Sequence, residues 1–163
     1  MNLFKNLLVL AAMVLISLTV TAQDSQSKQS GGANFSGPGT LNIGFTSGFS
    51  NNTLGVQADY EIAQLGQDFT VGASLAYQSW QNHDDKNNSL AVGARFRWYA
   101  DRVLNITHQK WDVFASGDIG FNIGAPNALW WGIGIGGKYH INEKIGLQAI
   151  IGSGAQIGIH FNL

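Results

Sequence analysis

From Gly39 onward, apolar residues return at every second position. Leu41, Ile43, Phe45 and Phe49 alternate with Asn42, Gly44, Thr46 and Gly48. Leu54, Val56, Ala58, Tyr60 and Ile62 alternate with Gly55, Gln57, Asp59 and Glu61. A helix repeats every 3.6 residues, whereas a period of two places successive side chains on opposite faces of an extended strand. The same alternation runs through Phe69–Tyr77, Leu90–Trp98, Trp111–Ile123, Leu129–Ile141, Ile145–Ile151 and Ala155–Leu163, giving eight predicted strands. Turn chemistry separates them: Asn51-Asn52, Gly66, the polar stretch 81–88, residues 125–128, 142–144 and Ser153-Gly154. The longest connection, 100–110, has room for one helical turn. Connections this short make neighbouring strands antiparallel.

The N-terminal segment breaks this pattern. Lys5 precedes the unbroken apolar run 7–20, and Val20-Thr21-Ala22 supplies compact residues before Gln23. Residues 1–22 therefore read as a secretory signal peptide; the run is short for a helix spanning about 30 Å of hydrocarbon. Residues 23–38 are rich in Ser, Gln and Gly and are expected to form a flexible polar leader. Residues 39–163 form the strand domain.

Composition then asks which strand face meets water. Only 12% of the residues are charged, about half the usual share of a soluble domain, while 45% are hydrophobic. A soluble lipocalin-like barrel turns its apolar face inward and wets its exterior with charge. In this chain the strand charges are Asp59, Glu61, Arg95, Arg97, Asp112, Asp118 and Lys138, and all fall on the polar face. The other charged residues lie in the signal segment, leader, turns and loops. Four acids and three bases over eight strands are too few to wet an exterior, but they can neutralise one another within a narrow lumen. The apolar face then meets lipid. The net charge of −1 gives no basic face for nucleic acid, and the absence of cysteine removes thiol chemistry and Cys-based zinc sites.

The aromatic residues sort by height. An even strand number brings the first and last strands to one end, taken as periplasmic. Tyr60, Phe69, Trp98, Trp111, Tyr139 and Phe161 then fall on the outward face near that end, and Phe49, Tyr77 and Trp131 near the other. Aliphatic residues dominate between them. Two aromatic rims around an aliphatic belt form the girdle of a bilayer-spanning barrel. The expected fold is all-β, an eight-stranded antiparallel up-and-down transmembrane β-barrel. Signal segment, alternation, girdle, charged lumen and the ending Phe161-Asn162-Leu163 together resemble the small outer-membrane barrels of the OmpA/OmpX-like class. The resemblance implies a location in the bacterial outer membrane, lipid as the surrounding partner and no cofactor. It also implies a C-terminal strand read by the outer-membrane assembly machinery. The upper loops are short for that class, and a monomer is expected.

The lumen carries the candidate chemistry. Asp59 and Glu61 stand at the height of Arg95 and Arg97, and the intervening strand offers only Thr70, Gly72 and Ser74, so the arginines are expected to reach across it. With Asp112, Asp118 and Lys138 they form the expected ion-pair network, which either fills the barrel or gates a narrow pore. The lumen histidines His140 and His160 are expected to be structural, with no metal bound. Phe114, Trp130 and Ile150 point inward as space fillers. Gly44, Gly48, Gly55, Gly132, Gly134 and Gly158 either leave a small cavity for an apolar ligand or allow close strand packing. The Gly132-x-Gly134-x-x-Gly137 spacing matches a dinucleotide fingerprint, but it lies within a single strand rather than between a strand and a helix. No hydroxyl–histidine pair stands out on the lipid rim, so the protein is read as a non-enzyme with a role in envelope stability. A narrow conduit for small or apolar solutes is the alternative, and a lipid-modifying enzyme the third reading.

Overall fold

The structure, a computed structural model, describes residues 37–48, 53–82, 85–106, 108, 110–124 and 127–163. The expected signal peptide, most of the leader, Phe49 and the Asn51-Asn52 turn lie outside these residues. Eight strands follow in order: β1 (Thr40–Ser47), β2 (Leu54–Leu65), β3 (Phe69–Asn82), β4 (Asp85–Tyr99), β5 (Trp111–Ile123), β6 (Leu129–His140), β7 (Ile145–Gly152) and β8 (Ala155–Asn162). Each pairs antiparallel with its sequence neighbours, and β1 pairs with β8 to close the barrel. Closure gives each of the eight strands a hydrogen-bonded neighbour on both sides over at least part of its length. Among the described residues no helix is present, and residues 100–106 hold one i→i+4 turn, Leu104 N–H to Ala100 O at 2.8 Å. Asn105 follows that turn at φ 52°, a left-handed conformation that asparagine tolerates better than most residues.

Two strand ends differ from the alternation. The polar stretch 81–88 is not a loop throughout: β3 runs to Asn82 and β4 starts at Asp85, with the two residues paired. Backbone pairing needs no apolar face, so it continues where the hydrophobic alternation that marks a strand disappears. Strand β2 likewise continues past Ile62 to Leu65 through a bulge between Glu61 and Ala63. The bulge absorbs one residue and brings Leu65 opposite Phe69.

Burial is inverted relative to a soluble protein. Phe45, Phe121 and Ile157 are 72%, 70% and 68% exposed, whereas Asp59, Glu61, Arg95, Arg97, Asp112 and Lys138 are all buried. One outward row runs from Ile159 through Ile43, Ala58, Leu75, Val92 and Phe121 to Leu129 in unbroken cross-strand register. The space inside is filled by setting large side chains opposite glycines, a size alternation that suits a small barrel. Gly72 faces Arg95, Gly136 faces Phe114, and Gly146 faces both His140 and His160. A Cβ on Gly136 would sit 2.6 Å from the Phe114 ring, so the glycine makes room for it.

The aromatic rims are partly built from cross-strand pairs. Phe69 stacks on Trp98 at 6.4 Å between centroids, and Trp111 meets Tyr139 at 5.0 Å. Trp131 and Tyr77 are exposed on the outer face, and Phe161 is half-buried. Tyr60 departs from the expected rim. It keeps the outward register, opposite Leu41 and Ala73, but is only 5% exposed.

Candidate functional site: the barrel lumen

The alternation turns Asp59 and Glu61 of β2, Arg95, Arg97 and Tyr99 of β4, and Lys138 of β6 toward one axis. Asp59 is the hub. It accepts from Arg95 Nη1 at 2.8 Å, from Arg97 Nη1 at 2.7 Å and Nη2 at 3.0 Å, and from Asn42 Nδ2 at 2.9 Å. Both arginines cross the face of β3, where Gly72 and Thr70 are their register partners. Glu61 accepts from Lys138 Nζ at 2.7 Å, Thr70 Oγ1 at 2.8 Å and the Tyr99 hydroxyl at 3.0 Å, and pairs with Arg97 at 3.3 Å. Arg97 lies over the Phe114 ring at 5.3 Å, and Lys138 stands 5.5 Å from the Tyr99 ring. The cations therefore have carboxylates on one side and aromatic faces on the other.

Toward the far end from the chain termini, Arg95 makes a two-point contact with Asp118, Nε to Oδ1 at 2.7 Å and Nη2 to Oδ2 at 2.8 Å. Its Nη1 also donates to Gln156 Oε1 at 3.2 Å. Such planar, doubly bonded pairs fix geometry as well as charge. Toward the terminal end, His140 Nε2 lies 2.7 Å from Asp112 Oδ2, and His160 Nε2 lies 3.1 Å from His140 Nδ1. Among the described residues no group of three or more His, Cys, Asp or Glu is arranged to hold a metal ion. The seven charges expected in the lumen thus all have partners there.

Tyr99, Asn42, Thr70 and Gln156 join the network and were absent from the candidate set drawn from the sequence. Their signal was the inward parity of their positions. Tyr99 directly follows the outward Trp98, and its aromatic character hid its polar use.

Above Arg95 the lumen opens into a cavity of about 270 Å³ near the hairpin turns, with Gly48, Gly132 and Gly134 in its wall. The six glycines thus divide. A Cβ on Gly44, Gly55 or Gly158 would collide with a neighbouring strand's carbonyl oxygen, so these three serve close packing. Gly132 has its nearest neighbour for a Cβ at 3.7 Å and leaves real space. The wall holds Arg95, Asp118, Gln57 and Gln156 beside Trp130 and Ile150, so it is polar rather than suited to an apolar ligand.

Below the strands, Asp101 begins the connection between β4 and β5. Its Oδ1 accepts from the Val113 N–H at 2.8 Å. Burial raises its pKa from 3.8 to about 6, against the lowering effect of that hydrogen bond. The folded state then holds a proton between about pH 4 and 6 that the unfolded chain releases, so this residue's contribution to stability falls as pH rises through that window. Asp101→Asn keeps the acceptor and removes the titration. The stability of the variant relative to the native protein is expected to rise from pH 4 to pH 7, read from urea midpoints in detergent micelles. Parallel pH profiles for the two proteins would contradict this.

The closed eight-stranded barrel, lipid-type exterior and charged interior define the class: the fold is that of a small transmembrane β-barrel. Known structures agree. A de novo designed transmembrane β-barrel is similar at TM-score 0.54 and 18% identity, over 78% of this chain and 98% of that one. The Yersinia pestis outer membrane protein Ail, studied in phospholipid bilayer nanodiscs, is similar at TM-score 0.50 and 12% identity, over 78% of this chain and 100% of that one. No protein-family model and no curated protein sequence matches the chain.

Proposed function

We propose that this protein is a non-enzymatic, monomeric outer-membrane barrel whose lumen is closed by its ion-pair network and whose role is in envelope stability. One observation carries the reading: a continuous row of paired side chains, all buried except the partly exposed Asp118, runs from Asp118 through Arg95, Asp59, Arg97 and Glu61 to Lys138. Eight-stranded barrels are narrow enough for side chains to fill them. The inverted burial and the similarity to Ail support the outer-membrane location, with residues 1–22 directing export. The outward Leu163 and half-buried Phe161 at the end of β8 supply the surface that the assembly machinery reads.

Planar-bilayer recording tests the closed lumen. The native protein is expected to show no unitary conductance. Arg95→Ala is expected to lower stability by about 1–3 kcal/mol, because Asp59, Asp118 and Gln156 each lose a donor. The aromatic and lysine layer below it should still keep conductance at baseline. Unchanged stability with raised conductance would make the network a gate and sink the structural reading.

A further inference from the structure

We propose that the upper lumen opens sideways between β6 and β7 and there holds the head of one phospholipid that carries a phosphate and a primary ammonium. The acyl chains of that lipid lie on the outer face below the gap. The β6–β7 ladder ends at Gly134 opposite Gly152, whereas β6 stays paired with β5 as far as Leu129. The chain turns into β8 at Ser153-Gly154, so the segment 129–133 has a strand beside it on the β5 side alone. At about 3.3 Å per residue this one-sided edge is about 16 Å long. Ile133, at its lower end, is capped: its N–H donates to Ser153 Oγ at 3.0 Å, and its carbonyl accepts from the Ser153 N–H at 2.8 Å. Backbone groups two residues apart point the same way across a strand, so the N–H and C=O of Trp131 and Leu129 face the same gap.

Burial marks the opening. Across the barrel, the lumen-facing pair Ala76 and Ala91 is 0% and 1% exposed. Beside the gap, the lumen-facing Gly132, Gly134 and Ile150 are partly exposed. The cavity wall also includes Trp131 and Ile133, which stand on the outward face and are more than half exposed. The cavity is therefore continuous with the lipid-facing surface.

The chemistry of the gap selects the occupant. Backbone groups bordering hydrocarbon need partners, and lipid tails supply none. A phosphate at the gap accepts from the N–H groups of Trp131 and Leu129. Among the described residues, Arg95 and Asp118 are the charged members of the cavity wall. Arg95 already donates from Nε, Nη1 and Nη2. Asp118 is 10% exposed, and a carboxylate can accept about four bonds, of which Arg95 fills two. Gly132 is its register partner on β6, and with no side chain there the way from the gap to the carboxylate is clear. The wall thus has acceptor capacity for an ammonium and no spare cation for a purely anionic head. Below the gap, Ile135, Ile151 and Ile157 are each more than half exposed and form the surface for the chains.

The purified protein in detergent micelles is offered equimolar phosphatidylethanolamine, phosphatidylcholine, phosphatidylglycerol and lipid A, and the lipids retained per barrel are counted by native mass spectrometry. One phosphatidylethanolamine per barrel is expected, favoured about tenfold over phosphatidylcholine, whose quaternary ammonium has no N–H to donate. Asp118→Asn should erase that preference. Leu129→Pro removes an edge donor at the first residue of a strand, where proline is tolerated, and should weaken retention of both lipids alike while the barrel keeps its folded mobility on unheated gels. Equal retention of the four lipids by the native protein overturns the proposal without recourse to any variant. So does a preference for phosphatidylglycerol or lipid A, or a phosphatidylethanolamine preference that survives Asp118→Asn. Lipid retention and conductance are separate readouts, so failure of this site and failure of the closed-lumen reading are distinguishable.

Discussion

Replacing Arg97 with leucine is expected to destabilise the barrel by about 3–5 kcal/mol, the cost of stranding a buried charge. Arg97 is 1% exposed and serves two carboxylates, with Nη1 and Nη2 on Asp59 and Nη1 within 3.3 Å of Glu61. Without it, Asp59 keeps only Arg95 and Asn42, and Glu61 keeps Lys138 and its hydroxyl donors. Neither carboxylate reaches water, because both are almost fully buried. Arg95 differs on this point, since its partner Asp118 is 10% exposed and water can replace a lost bond there. Arg97→Leu should therefore cost more than Arg95→Ala, read as urea midpoints from the mobility of folded barrel on unheated gels. Adding Asp59→Asn should recover part of the loss. A cost below about 1 kcal/mol for Arg97→Leu would mean that the network contributes little beyond filling space.

Gly158→Val is expected to prevent closure altogether. Gly158 pairs with Gly44 across the β1–β8 seam and with Gln148 on its other side. A Cβ there would fall well inside contact distance of the Ile43 carbonyl oxygen and 2.5 Å from the Gly44 Cα. Both obstacles are backbone, so no side-chain rotation relieves the collision, and the seam must separate. Gly117 is the control. It lies on the outward face, opposite Phe96 and Ile133, and a Cβ there has 4.0 Å to the Gly132 oxygen. Gly117→Ala should fold like the native protein, whereas Gly158→Val should run only as unfolded chain on unheated gels. Equal folded yields would show that the seam tolerates a wider strand separation.

The contrast between these glycines also marks where the sequence stops being legible. Both stand in alternating strands, and composition treats them alike. Which one a neighbouring strand crowds depends on barrel curvature, which no single strand encodes. The 81–88 stretch shows a second limit. Its polar residues erase the alternation, yet Asn82 and Asp85 pair, because backbone hydrogen bonding does not require an apolar face. Tyr60 shows a third, since its parity was readable from the chain and its low exposure was not.

Parity carried much of the candidate site. Asp59, Glu61, Arg95 and Arg97 share a face because their spacing from outward neighbours is odd, and the small residues at 70, 72 and 74 implied a reach across β3. Tyr99 illustrates what parity could not supply. Its position marked it inward, but its bonds to Glu61 and Lys138 depend on β2 and β6 lying across the lumen from β4.

The sequence by itself determined the strand number, the face that meets lipid and the side on which the charges stand. All three follow from a local period of two and from the cost of placing charge in hydrocarbon. Only the tertiary structure decided which charges meet, which glycines are crowded and where space remains. Those depend on closure, which brings β8 onto β1 and sets side chains from distant strands across a shared axis. Asp59 and Arg97 become partners at 2.7 Å, and an open cup stands above Arg95, because the barrel closes at one curvature and one register.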